Sequence, residues 1–366
     1  MKQKDLFSPI QIGPYTLANR IFMPPLTRCR ASSDHIPTPR MIPYYVQRVN
    51  AGLIITESTF VSPQGTGYPN APGIYNEKQV QEWKNITDAV HKDGGHIFMN
   101  LWHVGRVSHP DYYEGKLPVA PSAIVSTDGM ASTYEGRKPF VTPRALETSE
   151  IPGVVEQYRS AAENVLAAGF DGVEIHGANG FLPDQFLRDG SNKRTDQYGG
   201  SVENRVRFLL ELTEAITSVM GGNRVGIRIS PTGTYNSMSD TDPEATFTYL
   251  CKALNRFGLA YLHVIEAWGG DIRRGAKVMP LALLREAYKG MIVVNAGYDK
   301  DRGNKVIEDG LADAVAFGQL FIANPDLPAR FKINAPLNEP DKETFYSGGD
   351  VGYLDYPTLE ESNQRF

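Results

Sequence analysis

The sequence has few cysteines, no cluster of basic residues and no long apolar run. Cys29 and Cys251 are its only cysteines in 366 residues, too few for a disulfide framework or a cysteine-ligated metal cluster. Lys and Arg number 37 against 42 Asp and Glu, which gives a formal net charge of −5, so we predict no nucleic-acid partner. Because no apolar segment reaches membrane-spanning length and no apolar signal core follows Met1, we predict no membrane association and a cytoplasmic location.

The composition is otherwise that of an ordinary globular protein. Apolar residues make up 41% and charged residues 22% of the chain, which is unlike a disordered sequence. The seven histidines show neither metal-ligand spacing around a glutamate nor a cluster with cysteine, so we predict no metal site. No linker-like break interrupts the chain, and we predict one domain over residues 1–366. The sequence leaves a monomer and a homodimer equally open.

Eight short apolar stretches alternate with helical stretches along the chain. The predicted strands cover 21–26, 53–57, 95–102, 173–176, 225–229, 261–265, 292–297 and 314–318. The predicted helices cover 40–51, 83–92, 152–168, 202–220, 244–257, 281–288, 301–309 and 326–331. The strands are nearly uniformly apolar, as expected when both faces of a parallel strand are covered. The alternation therefore predicts an α/β fold of the (β/α)8 TIM barrel type rather than a doubly wound sheet.

Two segments lie outside this repeat. Residues 6–17 predict an N-terminal hairpin, because Ile10 and Ile12 alternate with polar neighbours and Gly13-Pro14 is a turn signal. Residues 103–150 form a long excursion after strand three that is rich in Pro, Ser and Gly. A loop of this length in a compact chain is usually a lid or a wall over a functional site.

The fourth predicted strand ends at His176-Gly-Ala-Asn179-Gly180. In α/β proteins the carboxyl ends of the strands carry the chemistry, so we expect His176 and Asn179 at the mouth of the site. Both side chains have N–H donors, which could hold one substrate oxygen and stabilise negative charge on it. The alternatives are a packed or surface histidine and an ordinary Asn-Gly turn.

Polar residues and glycines also lie at or just after the carboxyl ends of the other predicted strands: Thr27, Glu57, Ser58, Asn100, Trp102, His103, Arg228, Gly297, Gly318 and Gln319. Glycines after strands seven and eight suit a phosphate site, where backbone N–H groups approach an anion, although glycines also simply end strands. Arg228 lies inside an apolar strand, where an unpaired charge would be costly. It either pairs with a carboxylate or faces a bound electron-rich group, such as the pyrimidine ring of a flavin.

Eight motifs lie in order along nearly the whole chain: Pro24-Pro-Leu-Thr-Arg28, Gly65-Thr-Gly-Tyr68-Pro-Asn-Ala-Pro-Gly73, Leu101-Trp-His-Val-Gly-Arg106, His176-Gly-Ala-Asn179-Gly, Asp184-Gln-Phe-Leu-Arg188, Tyr198-Gly-Gly-Ser-Val-Glu-Asn-Arg205, Phe321-Ile-Ala-Asn-Pro-Asp326 and Gly352-Tyr-Leu-Asp-Tyr-Pro357. This set resembles the old yellow enzyme family of FMN-dependent ene-reductases, near its N-ethylmaleimide and oxophytodienoate reductases. The resemblance implies bound FMN, a hydride donor that is NADPH or NADH, with NADPH favoured by the family, and a small electron-poor substrate: an α,β-unsaturated carbonyl, a quinone or a nitro compound.

The resemblance also implies roles for individual residues. The flavin would contact Pro25, Leu26, Thr27, Ser58, Asn100 and Arg228, with Thr27 bonding its C4 carbonyl region, and its phosphate would contact Gly297, Gly318 and Gln319. The substrate oxygen would be held over the flavin by His176 and Asn179. The substrate pocket would be shaped by Tyr68, Trp102, Tyr235 and Tyr353.

Three positions depart from the family pattern. Asn100 stands where the family usually has Gln, and Gln319 where it has Arg, which removes a bidentate phosphate partner and should weaken FMN retention. Phe181 stands where the family usually has the Tyr that protonates the substrate α-carbon, and phenylalanine has no proton to give. Two alternatives therefore stay open: a flavin-dependent isomerase or specialised reductase in the same fold, and a flavin-binding protein without turnover.

Overall fold

Eight parallel strands close into a barrel in the computed structural model, which describes residues 4–363. The strands in chain order are β1 (Ile10–Ile12), β2 (Tyr15–Leu17), β3 (Ile21–Met23), β4 (Leu53–Ile55), β5 (Thr59–Phe60), β6 (Ile97–Trp102), β7 (Val119–Ala120), β8 (Ala131–Thr133), β9 (Gly136–Lys138), β10 (Arg144–Ala145), β11 (Gly172–Gly177), β12 (Val225–Ile229), β13 (Tyr261–Ile265), β14 (Ile292–Asn295) and β15 (Ala314–Ala316). The barrel order is β3-β4-β6-β11-β12-β13-β14-β15, and β15 pairs with β3 to close the ring. This confirms the predicted (β/α)8 barrel.

Helices separate the barrel strands, as the sequence pattern predicts. They are α1 (Met41–Val46), α2 (Glu77–Lys92), α3 (Ile151–Ala167), α4 (Leu182–Leu187), α5 (Val202–Met220), α6 (Pro243–Leu254), α7 (Gly269–Arg273), α8 (Leu281–Ala287), α9 (Lys300–Glu308), α10 (Gly318–Ala323), α11 (Leu327–Ile333) and α12 (Leu359–Asn363). Short 3-10 turns cover Pro63–Gly65, Pro110–Tyr112, Thr148–Glu150, Gly222–Arg224, Asn255–Phe257 and Lys342–Thr344.

Two predicted boundaries are wrong for identifiable reasons. Strand β3 ends at Met23 rather than at Leu26, because Pro24 and Pro25 have no N–H for the hydrogen-bond ladder. Helix α2 begins at Glu77, before the predicted start at Trp83. Its first turn is polar and carries no apolar periodicity, yet the side chain of Asn76 accepts the Gln79 N–H at 3.0 Å and caps the helix.

Two apolar clusters place the functional face of the barrel. The outer faces of the strands pack on the helices, as Ile175 and Leu209 do. The inner faces form a second cluster with Phe22 and Phe98, and the N-terminal hairpin seals it from below with Ile12 and Leu17. Apolar side chains therefore fill the amino-terminal half of the interior, and the carboxyl ends of the strands are left for a site.

The excursion after the third barrel strand is partly ordered into strands. Strands β8 and β9 form a small antiparallel hairpin, and β7 pairs with β10. From this segment Met130, Ser132 and Arg137 reach the large cavity described below, so the excursion serves as a wall. Within residues 4–363, no helix combines the length and apolarity needed to cross a bilayer.

Candidate active site

A cavity of about 1060 Å³ opens at the carboxyl ends of the barrel strands. This volume lies at the upper end of what ligand sites in proteins occupy. Most of the residues predicted from sequence line it together: Pro25, Leu26, Thr27, Ser58, Tyr68, Trp102, His176, Asn179, Phe181, Arg228, Tyr235, Gly297, Gly318 and Gln319. The barrel thus gathers one site from segments spread over almost three hundred residues.

His176 lies near the end of β11, facing the interior of the barrel. Its side chain is 2% exposed, and its Nδ1 has no hydrogen-bond partner among the described residues. Burial lowers the pKa of His176 well below its ordinary value, and the charge of Arg228 lowers it further. The imidazole is therefore neutral near pH 7, with one N–H donor and one acceptor nitrogen.

The loop that follows β11 holds Asn179 in a fixed position. Its backbone is left-handed, with φ +58°, a region that asparagine tolerates better than most residues. Its N–H donates to Ser230 Oγ at 2.9 Å, and its carbonyl accepts from Asn236 Nδ2 at 2.8 Å. The side-chain amide makes no hydrogen bond within residues 4–363 and lines the cavity. The loop thus presents a free amide close to His176.

Gly180 and a buried ion pair lock the same loop from below. Gly180 has φ +75°, and a Cβ there would meet Met238 Cγ at 2.8 Å, so only glycine fits. Its N–H donates to Asp184 Oδ2 at 2.8 Å, while Asp184 Oδ1 accepts from Arg188 Nε at 3.1 Å. Both charged side chains are almost fully buried. Arg188 also donates to the carbonyls of Gly233 and Ser230, which ties the β11 loop to the β12 loop.

Arg228 lies on β12, beside His176 in the strand register. Its Nη2 donates to Asn295 Oδ1 at 2.9 Å, and its buried Nε has no partner within the part of the chain that the structure describes. No carboxylate of residues 4–363 lies within ion-pair distance of it. Burial lowers the pKa of Arg228, and Glu174 opposes that effect, but the guanidinium keeps its charge near pH 7. A buried cation with a spare donor at the cavity fits an electron-rich ring.

The ends of β14 and β15 form the opposite side of the cavity. Ala296 has φ +93°, and strained backbone at a non-glycine residue is typical of functional sites. Gly297, which follows it, has φ +68°, a conformation that glycine adopts without strain. Gly318 and Gln319 open α10, where their N–H groups have no acceptor in a preceding turn. These amides, together with the Gln319 side chain, can bind a phosphate.

An aromatic wall closes the third side. Trp102 stacks on Phe60 with ring centroids 4.9 Å apart, contacts Tyr68 at 5.0 Å, and meets the edge of Phe181 at 4.9 Å. Burial raises the pKa of Tyr68 well above its ordinary value, with Tyr235 adding to the effect. Tyr235 itself is 52% exposed at the rim. The wall is suited to a flat, apolar molecule with polar ends.

Asn100 lies below the cavity rather than in its lining. Its amide Nδ2 donates to Glu174 Oε1 at 2.8 Å, and its Oδ1 has no partner among the described residues. The shorter side chain of Asn, compared with Gln, leaves the amide one layer down in the barrel interior. The predicted flavin contact of Asn100 is therefore not formed by direct lining of the cavity.

Tyr353 is also displaced from its predicted place in the pocket. It is fully buried, its ring stacks on Tyr44 at 4.2 Å, and Arg30 lies over it at 4.8 Å. Tyr346, which precedes it in the same C-terminal segment, lines the cavity instead. An isolated motif gives the segment but not which of its tyrosines points inward.

Two strand-end residues turn away from the cavity. His103 is fully buried, its Nδ1 accepts the Gly105 N–H at 3.1 Å, and burial lowers its pKa to about 3. Glu57 accepts the N–H groups of Arg28 and Cys29 at 3.1 and 3.2 Å, and burial raises its pKa to about 7. Both residues organise the strand ends rather than the cavity.

Asn295 and Ser230 are parts of the site that the sequence analysis missed. Asn295 accepts from Arg228 and donates from Nδ2 to the Ala316 carbonyl at 2.6 Å, which joins three barrel strands. A polar residue after three apolar residues of a strand was the available signal for Asn295. Ser230, directly after β12, was hidden as an ordinary turn residue.

The chain is similar to known proteins over nearly its whole length. A model of the NADH:flavin oxidoreductase / NADH oxidase family matches residues 5–338. A putative 12-oxophytodienoate reductase 2 of Oryza sativa subsp. japonica is 46% identical over 364 residues, covering 98% of this chain and 95% of that protein. Morphinone reductase superposes with a TM-score of 0.94 at 47% identity, covering 99% of this chain and 98% of that one. The old yellow enzyme homologue from Zymomonas mobilis superposes with a TM-score of 0.92 at 43% identity, covering 97% and 100%.

Proposed function

Because the chain belongs to the old yellow enzyme family of NADH:flavin oxidoreductases, we propose that it binds FMN in the barrel-mouth cavity and reduces electron-poor substrates with NADPH or NADH. The substrate class we propose is α,β-unsaturated carbonyl compounds, quinones and nitro compounds. One observation carries the proposal: His176 and Arg228, two buried side chains with unpartnered nitrogens, line the same cavity side by side. Buried polar atoms are rarely left unpaired unless a ligand pairs with them.

We assign the cavity residues to three regions of FMN: the pyrimidine edge, the ring system and the phosphate. Arg228 would bind the electron-rich pyrimidine edge, while Pro25, Leu26, Thr27 and Ser58 would line the ring system. Gly297, Gly318 and Gln319 would bind the phosphate through amide N–H groups. When bound, FMN supplies hydride transfer, accepting hydride from the reduced nicotinamide and delivering it to the substrate.

His176 and Asn179 would position the substrate and stabilise its charge. Both offer N–H donors at the mouth of the barrel, and the neutral imidazole can donate without carrying a charge of its own. Hydride addition to the β-carbon of an enone moves negative charge onto the carbonyl oxygen. Preorganised donors bind that oxygen more tightly as its negative charge grows. They therefore lower the activation free energy of hydride addition.

Phe181 leaves the proton at the substrate α-carbon to another donor. It packs against His176 with ring centroids 5.0 Å apart, so its side chain borders the proposed substrate position but carries no acidic hydrogen. We propose that enones, which need this proton, react slowly. Quinones and nitro compounds, which do not need that carbon protonated, should be the better substrates.

FMN binding is the first test of the proposed function. We expect the purified protein to bind one FMN per chain. Binding would be seen as quenching of FMN fluorescence and as a yellow colour of the protein. Because Gln319 lacks the fork of a guanidinium, Gln319→Arg should bind FMN roughly tenfold more tightly. The dissociation constants would be measured by fluorescence titration.

The matched control is Gln81→Arg, which introduces the same guanidinium at an exposed position of α2 outside the cavity. It should leave FMN binding unchanged. A wild-type protein that ignores FMN at micromolar concentration would contradict the proposed function as a whole. Anaerobic mixing of the yellow protein with NADPH and with NADH then decides which nicotinamide is the donor.

Phe181→Tyr should raise the turnover of enones. The introduced hydroxyl would supply the missing proton, and general acid catalysis contributes about 10²–10⁴-fold where it operates, so we expect at least a tenfold gain in kcat on a cyclic enone. Turnover of a quinone by the same variant should stay within about twofold, which serves as the internal control. An unchanged enone rate would mean that another group already delivers the proton.

A flavin-dependent isomerase is the second candidate, and Phe181 in the cavity lining favours it. Without an acid to quench the enolate, the intermediate can rotate and return the hydride. Product analysis with an α,β-unsaturated aldehyde separates the two activities. Saturated product with nicotinamide consumption identifies a reductase, whereas a geometric isomer without net consumption identifies an isomerase.

A further inference from the structure

A layer of polar side chains lies inside the barrel, between the apolar floor and the cavity. Asn100 on β6, Glu174 on β11 and His263 on β13 are each 0% exposed. None of the three lines the cavity. Burying a carboxylate this deeply is costly unless it is hydrogen-bonded and its charge is balanced. Because none of the three side chains reaches the cavity, a contact with substrate or cofactor does not explain why they are buried there.

Both oxygens of Glu174 are held by donors. Oε1 accepts from Asn100 Nδ2 at 2.8 Å, and Oε2 accepts from His263 Nδ1 at 2.8 Å. Burial lowers the pKa of His263, although Glu174 opposes the effect, so the imidazole is neutral with its proton on Nδ1. The carboxylate of Glu174 is thus the acidic group of a layer that is fully buried.

Arg228 supplies the opposite charge one layer above. Its Cα is the register partner of His176 on one side and of His263 on the other, whereas Glu174 pairs with Gly226 two residues below it. Glu174 is the carboxylate that acts on the pKa of Arg228, yet no ion-pair contact joins them among the described residues. The Glu174 carboxylate therefore acts on Arg228 through the barrel interior from beyond ion-pair distance.

We propose that Glu174, held in place by Asn100 and His263, is a positioning residue that sets the reduction potential of the flavin bound against Arg228. The inference rests on the proposed function. A cation beside the flavin favours its electron-rich reduced state, and a buried carboxylate behind that cation offsets part of its field. Charges act over several ångströms in a low-dielectric interior, so direct contact with the flavin is not required. Without the Glu174 charge, the positive field of Arg228 at the flavin is no longer partly offset, so the reduction potential of the flavin should rise.

Glu174→Gln in the FMN-loaded protein tests the proposal. The substitution keeps the size of the side chain and an acceptor oxygen for Asn100 but removes the charge. We expect the affinity for reduced flavin relative to oxidised flavin to rise at least tenfold, which for a two-electron couple is an upward shift of about 30 mV. The midpoint potential would be measured by dye-equilibrated reductive titration, alongside the FMN dissociation constant of the oxidised protein.

Phe98→Leu is the matched control. Phe98 is fully buried in the apolar inner-face cluster, so its truncation changes the packing of the barrel interior without changing the charge or the hydrogen bonds of the layer. The control should retain the wild-type potential. A Glu174→Gln protein that binds FMN with the wild-type potential, or with a lower one, overturns the proposal while the proposed function stands. A wild-type protein that binds no FMN overturns both.

Glu174→Met keeps the proposal open to refutation if Glu174→Gln does not fold. It removes the same charge from the buried layer and puts no polar group in its place. The potential should then shift upward as well, by an amount similar to that in Glu174→Gln. A folded Glu174→Met protein with the wild-type potential would overturn the proposal.

Discussion

The double variant His176→Leu/Asn179→Ala is expected to reduce a substrate carbonyl compound at least about 10³-fold more slowly than the wild type. Each preorganised donor to a developing oxyanion contributes roughly 10²–10³ in kcat, and two donors to one oxygen act as a unit rather than additively. Because the pKa of His176 is well below its ordinary value, the wild-type rate should also show no step between pH 8 and pH 6 from protonation of this imidazole.

The measurement separates the two half-reactions by stopped-flow absorbance of the flavin. The double substitution should slow the reoxidation of the flavin by substrate. FMN should remain bound, because neither residue belongs to the proposed flavin contacts. Ser132→Ala is the control, since Ser132 lines the same cavity from the excursion wall and should change the rate less than twofold. A double variant that is reoxidised at the wild-type rate would remove the proposed substrate site from this cavity.

Arg188→Ala is expected to destabilise the protein by about 3–5 kcal/mol. The substitution leaves Asp184 buried without its counter-charge, which is the costly way to break a buried ion pair. It also releases the loops carrying Gly180 and Ser230, which position Asn179. The free energy of unfolding would be measured in urea, and substrate reoxidation of the flavin should slow in parallel because Asn179 loses its support.

Arg159→Ala provides the comparison for a surface ion pair. Arg159 bonds Glu156 and Glu163 at 2.7 Å each, but its side chain is 38% exposed, so its loss should destabilise the protein far less than loss of the buried Arg188. The contrast tests burial against the mere number of ionic contacts. Equal losses in the two variants would show that the Asp184–Arg188 pair is not a special support of the loop.

The barrel could be predicted from sequence because parallel strands covered on both faces are mostly apolar. Stretches such as 225–229 and 261–265 therefore stand out between helices. Two predicted ends were wrong. Strand β3 stops before Pro24, which has no backbone N–H donor, and helix α2 begins at Glu77, where the first turn has no apolar periodicity yet. Those boundaries depend on hydrogen bonds and caps rather than on periodicity.

The sequence motifs predicted which segments form the candidate site, but they did not predict which of their side chains face the cavity. His176, Asn179 and Arg228 lie at or near strand ends that the sequence marks, and the structure brings them to one cavity. Tyr353 and Asn100 carry equally visible signals, yet they turn into the protein. Which side of a short segment faces the cavity is decided by packing, here the stacking of Tyr353 on Tyr44 and the bond of Asn100 to Glu174.

By itself the sequence determined the order of strands and helices and the family of the chain, because apolar periodicity and local motifs are properties of neighbouring residues. The tertiary structure alone decided that Glu174, 74 and 89 residues away from Asn100 and His263 in sequence, lies in one buried layer with them below Arg228. Closure of the barrel creates that layer: side chains of non-adjacent segments share an interior from which water is excluded, and their charges must then balance one another.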